Sequence, residues 1–451
     1  MKEGIEHQQQ NARRDFIRKA AIGTLGFSVM GFSAKSYGRI LGANDRVRVG
    51  IVGFSDRFRH SLYPAFMDHA KAMNFEFVGV SDIWNRRRDE AEAYAKEKHG
   101  IKLKKYRNND ELYSKKDVDA VIISTADFQH ALMGVEAVRN GKDVYLEKPM
   151  AETMEDARAI LKAVNETGKI VQIGSQRRSA PNYIAANEYI KSGKFGDIKM
   201  VEMTWNVNQP GRWRRPELVS QIRKEDTDWD RFLMNRPKVA WDPRKYLEYR
   251  LFWPYSSGIP GQWMSHQIDT VHWFTDLEHP RSVSANGGIY MWADGRENPD
   301  TMTAVFDYGP GSEPGKGFQV VYSSRFSNSA GGVKELYYSN GGMLNLDTNM
   351  ITSEGGLTQN MADQMGMQAN LLPDYTLPSD AKVSTDANTG GDPMTSLHMR
   401  NWMECVRSRE TPHASVKAGY NHSVANIMTR TALQTGKRVT FDKAKQEIIA
   451  S

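Results

Sequence analysis

Apolar residues recur along this chain with two different periods. Residues 47–53, 75–80, 119–124, 142–147 and 169–174 are short, nearly continuous apolar runs, and stretches such as 86–99, 129–140 and 152–168 between them repeat their apolar positions at helical spacing. Strands buried on both faces read as unbroken apolar runs, and the helices that alternate with them supply the cover. The pattern predicts a Rossmann-type domain with a parallel sheet over residues 43–175.

Beyond Gln176 the period shortens to two. Residues 198–207, 282–292, 301–308 and 318–326 alternate apolar and polar positions and follow one another without long helices between them. Residues 176–451 are therefore expected to form an α/β domain with a largely antiparallel open sheet, entered through a helix at 181–192 and closed by helices at 398–407 and 418–435. Residues 353–395, rich in Gly, Asn, Asp, Thr and Met, keep no period and predict a long surface excursion. The expected class is α/β, with a Rossmann domain followed by a domain for substrate and oligomerisation.

Residues 1–42 stand outside both patterns. Arg13-Arg14 precede a modest apolar run at 20–32, broken by Gly23, Gly26 and Gly31, and small residues follow at Ser33 and Ala34. That order looks like a twin-arginine export signal, which implies a periplasmic protein and the twin-arginine machinery as a partner; an exposed amphipathic helix is the other reading. The run is too short to serve as a permanent membrane anchor. The chain has 451 residues and a formal charge of +6, but its basic residues are scattered apart from Arg86-Arg87-Arg88, which leaves no nucleic-acid footprint. The single cysteine, Cys405, forbids an intrachain disulfide and reads as a core residue of a late helix. No His and Cys spacing suggests a metal, and no Gly-x-Ser-x-Gly elbow suggests acyl transfer.

Val49-Gly50-Ile51-Val52-Gly53 is a first strand running into a turn, and Asp82 ends the second strand at the distance where a carboxylate accepts hydrogen bonds from an adenosine ribose. The glycine fingerprint is incomplete: Ser55 and Phe58 stand where the second and third glycines belong, so the turn must differ in shape. Arg57 either pairs with a pyrophosphate or joins Arg59 on a solvated helix face. Arg86 either leaves NADP possible or simply starts an exposed helix.

Lys148 ends the fourth apolar run, at the edge of the sheet where ligands of open α/β folds gather. Ser124-Thr125-Ala126-Asp127-Phe128-Gln129-His130 closes the run before it, and Ser265-His266-Gln267-Ile268-Asp269 lies in the second domain. With Glu147-Lys148-Pro149 and the Rossmann pattern, these segments make residues 46–441 resemble the glucose-fructose oxidoreductase and inositol dehydrogenase family (Gfo/Idh/MocA), through to Asn421-His422-Ser423 and Thr440-Phe441-Asp442. The resemblance implies a nicotinamide cofactor, NAD with NADP possible, and a sugar or polyol substrate. It implies that Lys148 contacts both and that His266 acts as acid and base. Many members carry an Asp four residues before that His; this chain has Gln262, which can hydrogen-bond a hydroxyl but cannot take up a proton.

The expected cofactor contacts are Gly53, Ser55, Arg57, Asp82, Thr125, His130, Glu147 and Lys148, with His130 either lining the nicotinamide site or only beginning its helix. Oxidising a secondary alcohol needs a base for the hydroxyl proton while hydride leaves carbon, a task that suits His266 with Lys148 polarising the same hydroxyl. Asp269, one turn on, either orients the imidazole or caps local backbone. Trp205 and Trp213 offer ring faces to a sugar, the other readings being core for Trp205 and an oligomer interface for the 211–215 loop. Arg177, Gln262 and Asp269 complete the substrate candidates; His272 and Trp273 read as core. Three functions are compatible with these residues: a sugar oxidoreductase that keeps its cofactor, a glycosidase using transient oxidation, and a sugar-binding protein without catalysis. A homo-oligomer is expected.

Overall fold

The computed structural model describes residues 45–311, 313–378 and 392–451, so the twin-arginine segment lies outside the described residues. Six strands make the first sheet: β1 (Val47–Val52), β2 (Phe75–Ser81), β3 (Lys104–Tyr106), β4 (Ala120–Ile123), β5 (Asp143–Leu146) and β6 (Val171–Ile173). They are all parallel, in the order β3-β2-β1-β4-β5-β6, so the order of strand addition reverses between β1 and β4. That switch point opens a crevice at the carboxyl ends of the strands. Five of the six strands coincide with the apolar runs. The sixth, β3, has the polar sequence Lys-Lys-Tyr at an edge and so carries no apolar period.

Ten strands make the second sheet: β7 (Met200–Asn206), β8 (Ser282–Gly288), β9 (Thr301–Tyr308), β10 (Phe318–Arg325), β11 (Val333–Ser339), β12 (Gly342–Asn345), β13 (Met350–Thr352), β14 (Tyr375–Thr376), β15 (Val439–Asp442) and β16 (Glu447–Ala450). Only the central β7–β10 pair is parallel. Val201, Met203 and Trp205 on β7 and Val320 and Tyr322 on β10 bury one face, while the residues between them are more exposed, which is the expected alternation. The helices Ser265–Thr275 and Val416–Thr435 pack together in the layer between the sheets. The excursion after residue 353 is not without structure: its described part contains the helix Gln359–Gln364 and the strand β14, which pairs with β13.

Two expectations need correction. The helix expected at 398–407 begins at Pro393, because the Asp392 carboxylate accepts the Thr395 N–H at 2.7 Å and caps it. This helix also belongs to the first core, although it lies far beyond the expected boundary at residue 175. Met399, Trp402, Met403 and Cys405 bury with Val49, Ile51, Phe66 and Phe75, and the Trp402 ring sits 6.1 Å from Phe75 and 6.0 Å from Tyr145. Cys405 is thus a core residue, its thiol pushed up to about 12 by burial. Trp402 is 0% exposed. Trp402→Ala should cost about 3–5 kcal/mol, read as a lower urea midpoint with the loss of structure reported by the first domain.

Candidate active site

The carboxyl ends of β1, β2, β4 and β5 open onto a cavity of about 930 Å³ whose other wall comes from the second sheet and the loops after it. Gly53 turns the chain out of β1 at φ +84°; a Cβ there would meet the Thr125 methyl at 2.8 Å. The helix that follows is capped by Ser55, whose Oγ accepts the Phe58 N–H at 3.2 Å and donates to Ser124 Oγ at 3.3 Å. Phe58 does not enter the cavity. It is buried against Phe54, Phe77 and Tyr63, and the helix widens into a π turn over Phe58–Leu62 that gives the ring room where a glycine would have let the backbone close up.

Asp82 faces the cavity and accepts the Phe54 and Trp84 N–H groups, both at 2.9 Å, leaving a lone pair free on each oxygen. Its neighbour on the wall is Arg87, not Arg86. Arg86 bonds Glu90 at 2.7 Å and Gln221 at 2.6 Å and lies outside the cavity, whereas Arg87 lines it and pairs with Glu90 and Asp56. Arg57 lines the cavity too, and its guanidinium is tied inward rather than set on a solvated face: Nε donates to Glu147 at 2.9 Å and Nη1 to Ser61 at 2.7 Å. Burial pushes the Glu147 carboxyl up, but Arg57 and Lys148 together outweigh it and the net shift is downward.

Lys148 projects from the end of β5 and donates to the main-chain oxygen of Gln262 at 2.5 Å, one turn before His266. Desolvation lowers its amine from 10.5 to about 8, against the attraction of Glu147 and Asp127. His266 lies half-buried on the wall, its ring stacked 5.9 Å from Trp205. Burial, then the charges of Lys148 and Arg177, hold it well below the usual histidine range, so it is a neutral imidazole. His130 opens the helix His130–Arg139 and also lines the cavity, with Nδ1 tied to the Pro149 oxygen at 2.8 Å. Burial lowers its pKa as well.

Trp205 and Trp213 reach the wall from β7 and from the loop after it, together with Trp263, which stacks 5.7 Å from Trp205. Trp213 holds φ +68°, a conformation that side chains rarely adopt, and is kept there by Phe326 at 5.1 Å and Trp263 at 6.0 Å. The loop is therefore folded inward. Arg177 is buried on the wall and ion-paired with Glu335. Three buried polar atoms of residues on this wall, His130 Nε2, Arg177 Nη2 and Trp205 Nε1, have no hydrogen-bond partner among the described residues.

Asp269 is not part of it. Its carboxylate accepts from Arg178 at 2.7 and 3.1 Å and lies 3.4 Å from His422, behind the wall, so it neither orients His266 nor meets a substrate. Burial would raise its pKa, but Arg178 and the His422 contact together override that and hold it far below the usual range. Gln262 lines the cavity, yet its amide is committed to Asp127 at 2.6 Å. Asp127, Trp263 and Arg250 have no marker in the sequence; only the neighbourhood of Asp127 to His130, and of Trp263 to His266, pointed toward them.

Residues 47–175 match the family model of the oxidoreductase family with an NAD-binding Rossmann fold, Gfo/Idh/MocA. The chain is similar to the inositol 2-dehydrogenase of Salmonella typhimurium, 30% identical over 186 residues that are 41% of this chain and 52% of that protein, so the match spans about half the relative's length. It is 22% identical over 461 residues, 95% of each chain, to a glycosyl hydrolase family 109 protein of Shewanella baltica. Among solved structures, the WlbA dehydrogenase from Bordetella pertussis in complex with NADH and UDP-GlcNAcA superposes with a TM-score of 0.62 at 17% identity, covering 88% of this chain and 98% of that one. Levoglucosan dehydrogenase in complex with NADH and levoglucosan gives 0.61 at 15%, covering 88% and 99%. These superpositions carry the fold.

Two outcomes follow from the electrostatics. Competitive amine labelling should give Lys148 a midpoint near 8, and a midpoint at the ordinary 10.5 would contradict its burial. Asp269→Asn should destabilise by about 3–5 kcal/mol at neutral pH. Because the folded carboxyl titrates below the unfolded one, that difference should shrink as pH falls below about 4, measured as unfolding midpoints against pH.

Proposed function

We propose that this chain is an NAD-dependent oxidoreductase that moves hydride between the nicotinamide and a secondary hydroxyl of a sugar, glycoside or polyol. One observation carries the reading: a single cavity at the carboxyl edge of the parallel sheet joins the Lys148 amine of the first domain to the helix of the second that bears His266. The residues present suit the cofactor. Gly53 lets the chain turn without a Cβ against Thr125, the helix start after Ser55 directs N–H groups toward anionic oxygens, and Asp82 keeps lone pairs for a ribose. Arg87 is already shared by Glu90 and Asp56, which favours NAD over NADP.

Bound there, NAD would supply the hydride acceptor. The rest is done by side chains. His266, held neutral, takes the hydroxyl proton, and Lys148 polarises the same oxygen. Because each charge disfavours the other, the two share about one proton rather than carrying two. Trp205, Trp213 and Trp263 offer apolar faces to a sugar ring, and Arg177 Nη2 offers a donor to its hydroxyls. Oxidation should accelerate as pH rises through about 8, where the pair gives up its resting proton from Lys148 and can accept the one that leaves the hydroxyl, the neutral amine still donating a hydrogen bond to that oxygen.

Two ties cross the far end of the cavity: Arg215 to Asp56 at 3.4 Å, and the Trp84 ring against Tyr246 at 6.4 Å. They support a cofactor that stays bound between turnovers, which suits the periplasm, the compartment that the Arg13-Arg14 segment argues for. Val305, Val321 and Leu336, left only half-buried on the outward face of the ten-stranded sheet, support a homo-oligomer. The full-length likeness to a glycosyl hydrolase family 109 protein favours a second reading, in which transient oxidation by the same bound NAD loosens a glycosidic bond.

Protein purified from its native compartment should release NAD on denaturation, and labelled NAD should exchange slowly; rapid exchange would remove retention, and a nucleotide-free protein that binds none would remove the enzyme reading. Lys148→Ala and His266→Ala should each lower hydride transfer by about 10²–10⁴-fold. Release of free sugar with no net change in NADH absorbance would select the glycosidase.

A further inference from the structure

We infer that Asp127 is the positioning residue of this site: a carboxylate of the first domain that grips the helix bearing His266 and sets the charge around Lys148. The inference rests on the hydride-transfer reading of the same cavity. Asp127 follows β4 and is 1% exposed. Among the described residues it has no ion-pairing cation. Its three side-chain donors all come from the second domain: Ser256 Oγ at 2.6 Å, Gln262 Nε2 at 2.6 Å and Tyr249 OH at 3.2 Å. A buried carboxylate without a counter-ion is costly, and short hydrogen bonds to the charged form are what retain it.

Gln262 joins this carboxylate to the chemistry through its two ends. The side-chain amide donates to Asp127, and the main-chain oxygen accepts from Lys148 Nζ. Fixing that residue fixes the turn Pro260–Met264 and hence the start of Ser265–Thr275, which carries His266. The neighbouring serine repeats the arrangement, since Ser257 Oγ donates to the buried Glu152 of the first domain at 3.0 Å. Two adjacent serines thus hook the loop before the His266 helix onto two first-domain carboxylates.

The charge has its own effect. The groups that face Lys148 are Glu147, Asp127, Arg250, Arg57 and His266. Glu147 is ion-paired with Arg57, so Asp127 is the negative charge near the amine that no cation compensates directly. Gln262 has no charge to give, and Asp127 supplies it from across the domain junction.

The test replaces Asp127→Asn and then moves the charge with the double substitution Asp127→Asn, Gln262→Glu, which rebuilds the same contact with donor and acceptor reversed. Lys148 labelling against pH is read on the free protein and needs no substrate. Asp127→Asn should lower the Lys148 midpoint below that of the parent and cut turnover about ten- to hundred-fold, and the double variant should recover both. An unchanged midpoint with parental turnover, or a loss that the double variant leaves unrepaired, overturns the inference. Should Asp127→Asn fail to fold, Gln262→Leu keeps the charge and removes the grip: turnover should fall with the Lys148 midpoint retained, and parental turnover there would overturn it as well. If the parent itself transfers no hydride, the function is wrong while the labelling still decides the charge coupling.

Discussion

Lys148 lies where the two domains meet, and an ammonium in that place must either find acceptors or lose its proton. It does part of each. One main-chain oxygen of the second domain takes its hydrogen bond, and desolvation brings its titration close to physiological pH. The residues around it follow from that compromise. Glu147 could have neutralised the amine outright, but its carboxylate is held by Arg57, so Lys148 stays poised between two protonation states. His266 feels the same amine as a repulsion and remains an imidazole. A fully paired lysine would have been more stable and less able to exchange a proton.

Much of the fold was legible because burial on both faces leaves an unbroken apolar run, and five of the six parallel strands carry one. The edge strand β3 is wetted and polar, so periodicity had nothing to register. The second sheet was legible through its alternation, including strand β9, whose bounds match the expected span. The attachment of the helix Pro393–Ser408 to the first core was not legible, because an amphipathic helix advertises an apolar face without naming what covers it.

The site divides along the same line. Main-chain position fixed Gly53, Asp82, Thr125, Glu147 and Lys148 at strand ends, and the sequence gives strand ends well. Side-chain partners were another matter. Arg57, Asp269 and Arg86 were assigned by proximity in sequence, yet each is held by a residue distant in the chain or on another element: Glu147, Arg178 and Gln221. Conversely, Gln262 read as a loss of charge, while the carboxylate that meets its amide comes from residue 127. Such long-range pairing is invisible to spacing along one chain.

Trp402 and its neighbours complete a core whose other members were made some three hundred residues earlier in translation. A ribosome therefore releases the parallel sheet long before the wedge that seals its back is available, and any shortened product leaves that seam open to water or to a chaperone. Closure of the crevice becomes a late event in the birth of the molecule, because the parallel sheet must wait for the helix Pro393–Ser408 to be made.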